Sequence, residues 1–265
     1  MNNLDIDVHH GDGVQEAYYN SDRVMCVSFH RYGITPDGFD FFPGTGSLQE
    51  SGCGPGKHFS INVPLKQGIS DAQYSRLFKS VTRAAINQFR PSVIVLQCGA
   101  DSLGLDRLGP FSLSIQGHAA CVEFVKSFQI PMIVLGGGGY TIRNVSRCWA
   151  YETAKICNAK LQSNIPDECA YRGFFGPDHL LTPKLTGFYK NENVDAELEQ
   201  IKNYVLQQLK SIEHAPSLKQ EIMPTTYLSK KIQEGIDDES KLKEMMNKDY
   251  RALRSEYFDN EQDII

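Results

Sequence analysis

The chain has 265 residues, 41% hydrophobic and 22% charged, a globular balance that fits one large α/β domain or two small ones. Its formal charge of −5 offers no basic footprint for direct DNA binding, and no apolar run approaches the roughly 20 residues that span a bilayer. Seven cysteines, odd in number and without a CxxC pair, argue against a disulfide framework or a thiolate zinc site, and the start Met1-Asn2-Asn3-Leu4 has no signal-peptide character, so the expectation is a soluble protein of a reducing intracellular compartment.

The first dense signal is Asp5-Ile6-Asp7-Val8-His9-His10-Gly11-Asp12-Gly13. Read as a strand, it places Asp5, Asp7 and His9 on one face and Ile6 and Val8 on the other. His9 and His10 then point apart and cannot both bind one metal ion. Val24–Phe29, His58–Val63, Ser92–Cys98 and Pro131–Leu135 read as further strands bounded by Gly, Pro or polar turns. Between the first two, Phe41-Phe42-Pro43-Gly44-Thr45-Gly46 holds an aromatic pair between turn residues, which suits either a wall for an extended aliphatic substrate arm or simple core packing. Helical periodicity covers Ser70–Phe89, with Ser70 and Asp71 as cap residues, and Ser114–Phe128. Near-continuous Val/Ile/Leu strands separated by helices predict an α/β fold, a parallel β-sheet covered by helices on both faces.

Functional residues of such a sheet gather at the carboxyl ends of its strands. Gly99-Ala100-Asp101-Ser102 follows the strand Ser92–Cys98, so Asp101 can meet Asp7 and His9 there. One imidazole and two carboxylates make a three-ligand site with an open position, as in catalytic zinc sites, although an aspartate after a strand is equally often a turn or cap residue. Gly136–Gly139 and Tyr140 follow the strand Pro131–Leu135. Four glycines let backbone approach a ligand closely, and the sequence lacks the GxGxxG and GK[ST] spacing of phosphate loops. A tyrosine at the tip of that loop can donate its O–H to a developing oxyanion. Farther on, Pro166–Pro183 reads as a long loop and Asp195–Ile212 as an amphipathic helix with Leu198, Ile201, Val205 and Leu209 on one stripe. The Lys/Glu/Asp-rich sequence from about Tyr227 reads as a mobile or weakly helical extension, giving a domain 1–225 and an extension 226–265.

DIDVHHGDG, FFPGTG, LQCGADSL, DRLG, CVEFVKS and LGGGGYTIRNVSRCWAYETA, with FFGPDHLLTP and HAPS farther on, together resemble class I histone deacetylases of the arginase/deacetylase fold. The resemblance runs in one register from about Leu4 to Pro224. It implies Zn2+ on Asp7, His9 and Asp101, with Tyr140 polarising the acetyl carbonyl. Asp5 and Asp12 match carboxylates that orient two catalytic histidines. K+ is implied beside the zinc strand at Asp5, Asp7, His9, Ser28 and Phe29, and a second K+ at Tyr18, Ser21, Val24 and Phe59. Phe42 and Leu108 match the acetyl-lysine tunnel and its rim, with Gly138 and Tyr140 also on the substrate. Arg107 and Arg143 match residues that contact an inositol phosphate. The implied partners are acetylated histone tails and corepressor subunits, with neither direct DNA nor membrane binding, in the nucleus or also the cytoplasm.

The sequence departs from the family pattern in two places. The family's tandem-histidine motif lies well upstream of the zinc strand, whereas here four residues precede Asp5. His30, His58, His118, His179 and His214 have neither its flanking pattern nor an evident route to the site. The expectation is a chain without its general base and the opposite tunnel wall, exposing apolar surface and an unpaired strand edge. Such a chain is either an incomplete deacetylase or a catalytically dead zinc- or corepressor-binding protein. A ureohydrolase or polyamine deacetylase is disfavoured, the former because no second set of metal ligands is evident. Gly33–Asp40 is also several residues longer than the family pattern, which predicts altered rim contacts.

Overall fold

The structure is a computed structural model that describes residues 1–185 and 189–212. Its strands are β1 (Asn2–Asp5), β2 (Met25–Arg31), β3 (Ser60–Leu65), β4 (Ile94–Gln97) and β5 (Met132–Leu135). The helices are α1 (Asp12–Tyr18), α2 (Asp71–Phe89), α3 (Ile115–Lys126), α4 (Ile142–Ile156) and α5 (Asp195–Lys210). The strands form one sheet of order β3-β2-β1-β4-β5, parallel throughout and flanked by helices. The chain winds one way from β1 to β3 and the other way through β4 and β5. The β1/β4 boundary is therefore the topological switch point, the place where open parallel sheets hold their ligands.

Apolar residues of β1 to β4 explain why the sheet is internal. Leu4, Val27, Phe29, Ile61, Val63, Ile94 and Leu96 are buried, and Phe29 meets Tyr74 and Phe78 of α2 at ring-centroid distances of 5.9 and 5.1 Å. The α5 stripe works as the sequence suggests: Leu198, Val205 and Leu209 are buried and lie with Ile201 in the same core. β5 is different. It forms a sheet edge, and its Ile133 and Leu135 remain 52% and 47% exposed.

Several elements depart from the sequence reading. The first strand stops at Asp5, so Asp7 and His9 lie in the bends beyond it. The cause is local: Asp5 Oδ1 accepts the Asp7 N–H at 3.0 Å, and Asp7 Oδ1 accepts the His9 N–H at 2.9 Å. Such carboxylate-to-backbone bonds compete with the sheet ladder. Ser70 stands at the N-cap of α2 but makes no cap bond, and the Asp71 carboxylate instead accepts from the N–H and Oγ of Ser114, at 2.9 and 2.6 Å. Ser114 in turn caps α3, accepting the Gly117 N–H. The long loop contains a 3-10 turn at Arg172–Phe175, and α1 and α4 add two helices to those read from the sequence. The HAPS segment, His214, the charged extension and the boundary at 225/226 lie outside the described residues.

Candidate metal centre

The turn after β1 and the turn after β4 bring three side chains to the switch point. One ligand atom from each of Asp7, His9 and Asp101 lies within 4.8 Å of the other two. His9 Nδ1 is 2.9 Å from Asp7 Oδ1 and 3.0 Å from Asp101 Oδ2. The remaining carboxylate oxygens are held by the fold. Asp101 Oδ1 accepts the Val8 N–H at 2.8 Å, and Asp7 Oδ2 accepts the Gly138 N–H at 2.8 Å and Gln97 Nε2 at 3.0 Å.

A single Nδ1–H cannot serve both carboxylates. The contact to Asp101 is an ion-pair distance without hydrogen-bond geometry, so Asp101 Oδ2 is left buried with no donor among the described residues. The charges are unbalanced in the same sense. Burial and the adjacent Asp7 charge push Asp101 up to about 6, against the pull of its His9 contact. Burial also works on Asp7, but donors from His9, Gln97 and Gly138 hold it well below the usual carboxylate range. Burial disfavours the His9 imidazolium, yet Asp101 and Asp7 outweigh it and hold the ring up at about 10. Two converging carboxylates thus face one cation, and one oxygen has no partner. One imidazole nitrogen and two carboxylate oxygens are a donor set that fits zinc.

Glycine makes this approach possible at two points. A Cβ on Gly138 would lie 2.0 Å from Asp101 Oδ2, and one on Gly99 would lie 2.0 Å from Asp7 Oδ2. Any side chain there would displace a ligand.

Around the cluster, Phe41 stacks on the His9 ring at 5.4 Å, while Phe42 and Tyr140 stand edge-on to it at 5.9 and 6.3 Å. Phe42, Leu108 and Tyr140 are 74%, 54% and 38% exposed, so they form the accessible side of the site. Burial and the Asp101, Asp7 and Asp106 charges raise the Tyr140 hydroxyl above its ordinary value, which keeps it a proton donor at neutral pH. Asp106 links these parts. Its Oδ1 accepts the N–H groups of Leu108 and Gly109, and its Oδ2 accepts those of Tyr140 and Thr141, at 2.8–3.1 Å.

The other candidate residues are placed as follows. Asp5 is buried beside Ser28 in register, and burial with the Asp7 charge pushes its carboxyl well above the usual range. Phe29 and Phe59 are buried, as is Val24, whereas Tyr18 is exposed and Ser21 half-buried. Asp12 is half-buried at the start of α1, where Oδ1 accepts the Gly13 N–H. Arg107 and Arg143 are both exposed. A second group of possible ligands, His118, Cys148 and Glu152, is fully buried beneath the site and was not apparent from sequence. His118 does have a route to the centre, since its Nε2 lies 3.0 Å from the Gly99 carbonyl.

A histone deacetylase domain model matches residues 3–156. Histone deacetylase 1 of Homo sapiens is 50% identical over 227 residues, covering 83% of this chain and 44% of the relative. Histone deacetylase B of Dictyostelium discoideum is 52% identical over 224 residues, covering 83% and 52%. Probable histone deacetylase 1-B of Xenopus laevis is 45% identical over 267 residues, covering 98% and 53%. The chain spans about half the length of these curated relatives.

Proposed function

The chain belongs to the histone deacetylase family, and from that premise we propose that its site serves zinc-dependent hydrolysis of acetyl-lysine in histones. The observation that carries this reading is the convergence of Asp7, His9 and Asp101, with one carboxylate oxygen unpaired, beside a tyrosine that remains protonated. Asp7, His9 and Asp101 hold the zinc, which when bound supplies Lewis acidity to a carbonyl and to water. Tyr140 donates its O–H to the acetyl oxygen as that oxygen gains charge. Phe41 and Phe42 give the aliphatic lysine arm an apolar wall, and Gly138 leaves room for the acetyl group. In the net reaction the oxygen of water joins the acetyl carbon, the amide C–N bond breaks, both water protons pass to the lysine nitrogen, and acetate and a lysine ammonium leave. The restored lysine charge changes histone–DNA electrostatics.

Several finer assignments belong to the same proposal. Asp5, Asp7, His9, Ser28 and Phe29 would hold K+ beside the zinc, and Tyr18, Ser21, Val24 and Phe59 a second. Asp12 and Asp5 would orient the catalytic histidines of the family. The exposed Arg107 and Arg143 would take an inositol phosphate between this protein and a corepressor subunit, in the nucleus. The hairpin at Gly33–Asp40 would shape the rim. It closes through a bridge between Ile34 and Asp40 and a bond from Phe41 N–H to the Gly33 carbonyl, and it leaves Ile34 and Phe39 68% and 75% exposed just before Phe42.

Acetate release from an acetylated histone-tail peptide tests the reading, with bound zinc measured in the same samples. Tyr140→Phe is expected to keep the metal and lower turnover about 10²–10³-fold. Unchanged turnover would remove the role of Tyr140, and zinc binding without turnover in the unaltered protein would favour a zinc- or corepressor-binding protein instead. Replacing Ile34–Phe39 with a short turn is expected to change which residues flanking the acetyl-lysine are preferred. An identical peptide preference would refute the rim assignment.

A further inference from the structure

We propose that His118 of α3 and Glu152 of α4 form a buried positioning pair for the metal centre, holding in place, through the Gly99 carbonyl, the turn that carries Asp101. The proposal rests on the reading of Asp7, His9 and Asp101 as metal ligands.

The geometry is continuous from helix to ligand. Glu152 Oε1 accepts from His118 Nδ1 at 2.5 Å, and His118 Nε2, the opposite ring nitrogen, donates to the Gly99 carbonyl at 3.0 Å. Both side chains are buried, His118 completely. An ion pair in such a place is a poor source of stability, because desolvation opposes its attraction and apolar residues of similar volume do as well. What apolar residues cannot do is donate to a carbonyl. Two residues beyond Gly99, Asp101 presents its carboxylate to His9, and the Gly99 Cα itself abuts the Asp7 carboxylate.

Neighbouring bonds act on the same turn. Trp149, one residue from Cys148 on α4, donates its indole N–H to the Cys98 carbonyl at 2.9 Å, and Ala100 N–H donates to the Gly138 carbonyl at 2.7 Å. Residues 98, 99 and 100 are therefore each held by a directed bond, and the bond at residue 99 is the only one of the three supplied by an ionic partner. Burial opposes the His118 charge, but the net effect of Cys148 and Glu152 holds it well above its ordinary value. Burial raises the Cys148 thiol, and the hydrogen-bond partner of His118 Nδ1 is the Glu152 carboxyl. A charged donor strengthens the bond to Gly99.

Cys148 Sγ lies 3.6 Å from His118 Nδ1, so His118, Cys148 and Glu152 are also a possible ligand group, and the positioning role is favoured by the partners His118 already has. Both His118 nitrogens are already engaged. The nearby thiols of Cys98 and Cys121 point to the carbonyls of Leu96 and Gly117 rather than to the pair.

Cobalt(II), whose visible bands report its coordination, can be titrated into the full chain and four variants. One ion per chain is expected for the unaltered protein. Val205→Ala, a cavity in the buried α5 contact, is expected to lower the melting temperature and leave cobalt affinity unchanged. His118→Leu removes the donor to Gly99 and is expected to weaken binding about 10–100-fold and alter the bands. Glu152→Gln should weaken binding less, and His118→Gln, which keeps a donor, should remain nearest the unaltered chain. If His118→Leu fails to fold, Glu152→Gln against Val205→Ala decides. Affinities and spectra unchanged in the His118 and Glu152 variants would overturn the proposal. So would two ions per chain with the second lost in His118→Leu, because the pair would then itself bind metal. No binding by the unaltered chain would instead defeat the metal reading on which the proposal stands.

Discussion

Two buried polar clusters begin at adjacent residues, and they are completed in opposite ways. His10 leads into a network in which every ring nitrogen has a partner. Its Nδ1 accepts from Thr45 Oγ1 at 2.8 Å, and its Nε2 donates to Gln15 Oε1 at 3.1 Å. His30, whose ring lies 4.7 Å from that of His10, accepts from Ser28 Oγ and donates to the Gly46 carbonyl. Gln15 and Asn62 tie this network to Glu50, whose carboxylate accepts the Gly46 and Ser47 N–H groups. His9 leads instead into the Asp7/Asp101 cluster, which keeps an unpaired oxygen and an excess of carboxylate. Partners for every histidine nitrogen make a structural support, here for the loop that presents Phe42, although Asn62 Oδ1 in the same network has no partner among the described residues. A deliberate shortage of positive charge makes a binding site.

The comparison breaks most visibly at Asp101. Asp101→Asn removes a ligand charge, and the expected result is loss of stoichiometric zinc. The metal-free variant should melt no lower than the unaltered metal-free chain, since a buried carboxylate pushed up to about 6 is replaced by a neutral side chain of the same shape. Metal analysis and thermal melting with and without chelator check both halves. A large loss of metal-free stability would mean that Asp101 belongs with the structural network.

On the other side, Gly46→Ala is expected to cost about 2–4 kcal/mol in denaturant unfolding and leave zinc stoichiometry unchanged. Gly46 has φ +90°, and a Cβ there would sit 2.4 Å from His30 Nε2 and 2.6 Å from His10 Cγ. Both rings are themselves fixed, so the strain cannot be relieved by a flexible side chain. Unaltered stability would show that the loop is free to move away from the histidines.

Much of the convergence of Asp7, His9 and Asp101 was legible because it follows from two regularities, the alternation of Asp7 and His9 and the habit of parallel strands to gather functional side chains at their carboxyl ends. The strand reading nevertheless ran too far, since Asp5 and Asp7 turn their carboxylates onto the following N–H groups. The sheet was legible for the same reason as its burial, in Val/Ile/Leu runs such as SVIVLQC. Helix α4 was not, because its inward face carries Asn144, Arg147 and Glu152 among the apolar residues and so lacks a clean apolar stripe. The part played by Asp106, and by His118, for which the sequence shows no route to the site, is illegible for a different reason. Each acts on backbone 19 to 35 residues distant, and a carbonyl or an N–H has no letter in a sequence.

The least effect, and the sharpest test of the pairing argument, lies in pH. Burial, with the neighbouring His10, lowers His30 to about 3, although the Gly46 carbonyl, Glu50 and Ser28 favour its charged form. A histidine whose folded value lies below its unfolded value contributes stability above the unfolded value, near 6.5, and loses it as pH falls toward the folded one. His118, raised by its partners, has the opposite sign: its contribution is complete below 6.5 and is lost only as pH rises through the folded value. Between pH 7 and pH 5, His30 should therefore remove about 2 kcal/mol of unfolding free energy while His118 removes none. His30→Gln, which keeps a donor for Gly46 and cannot titrate, is expected to flatten the fall by that amount. His118→Gln should not flatten it. Equal pH slopes in the unaltered chain and His30→Gln would mean that the His10–His30 network admits a proton, and the contrast between a neutral support and a charged site would lose its physical basis.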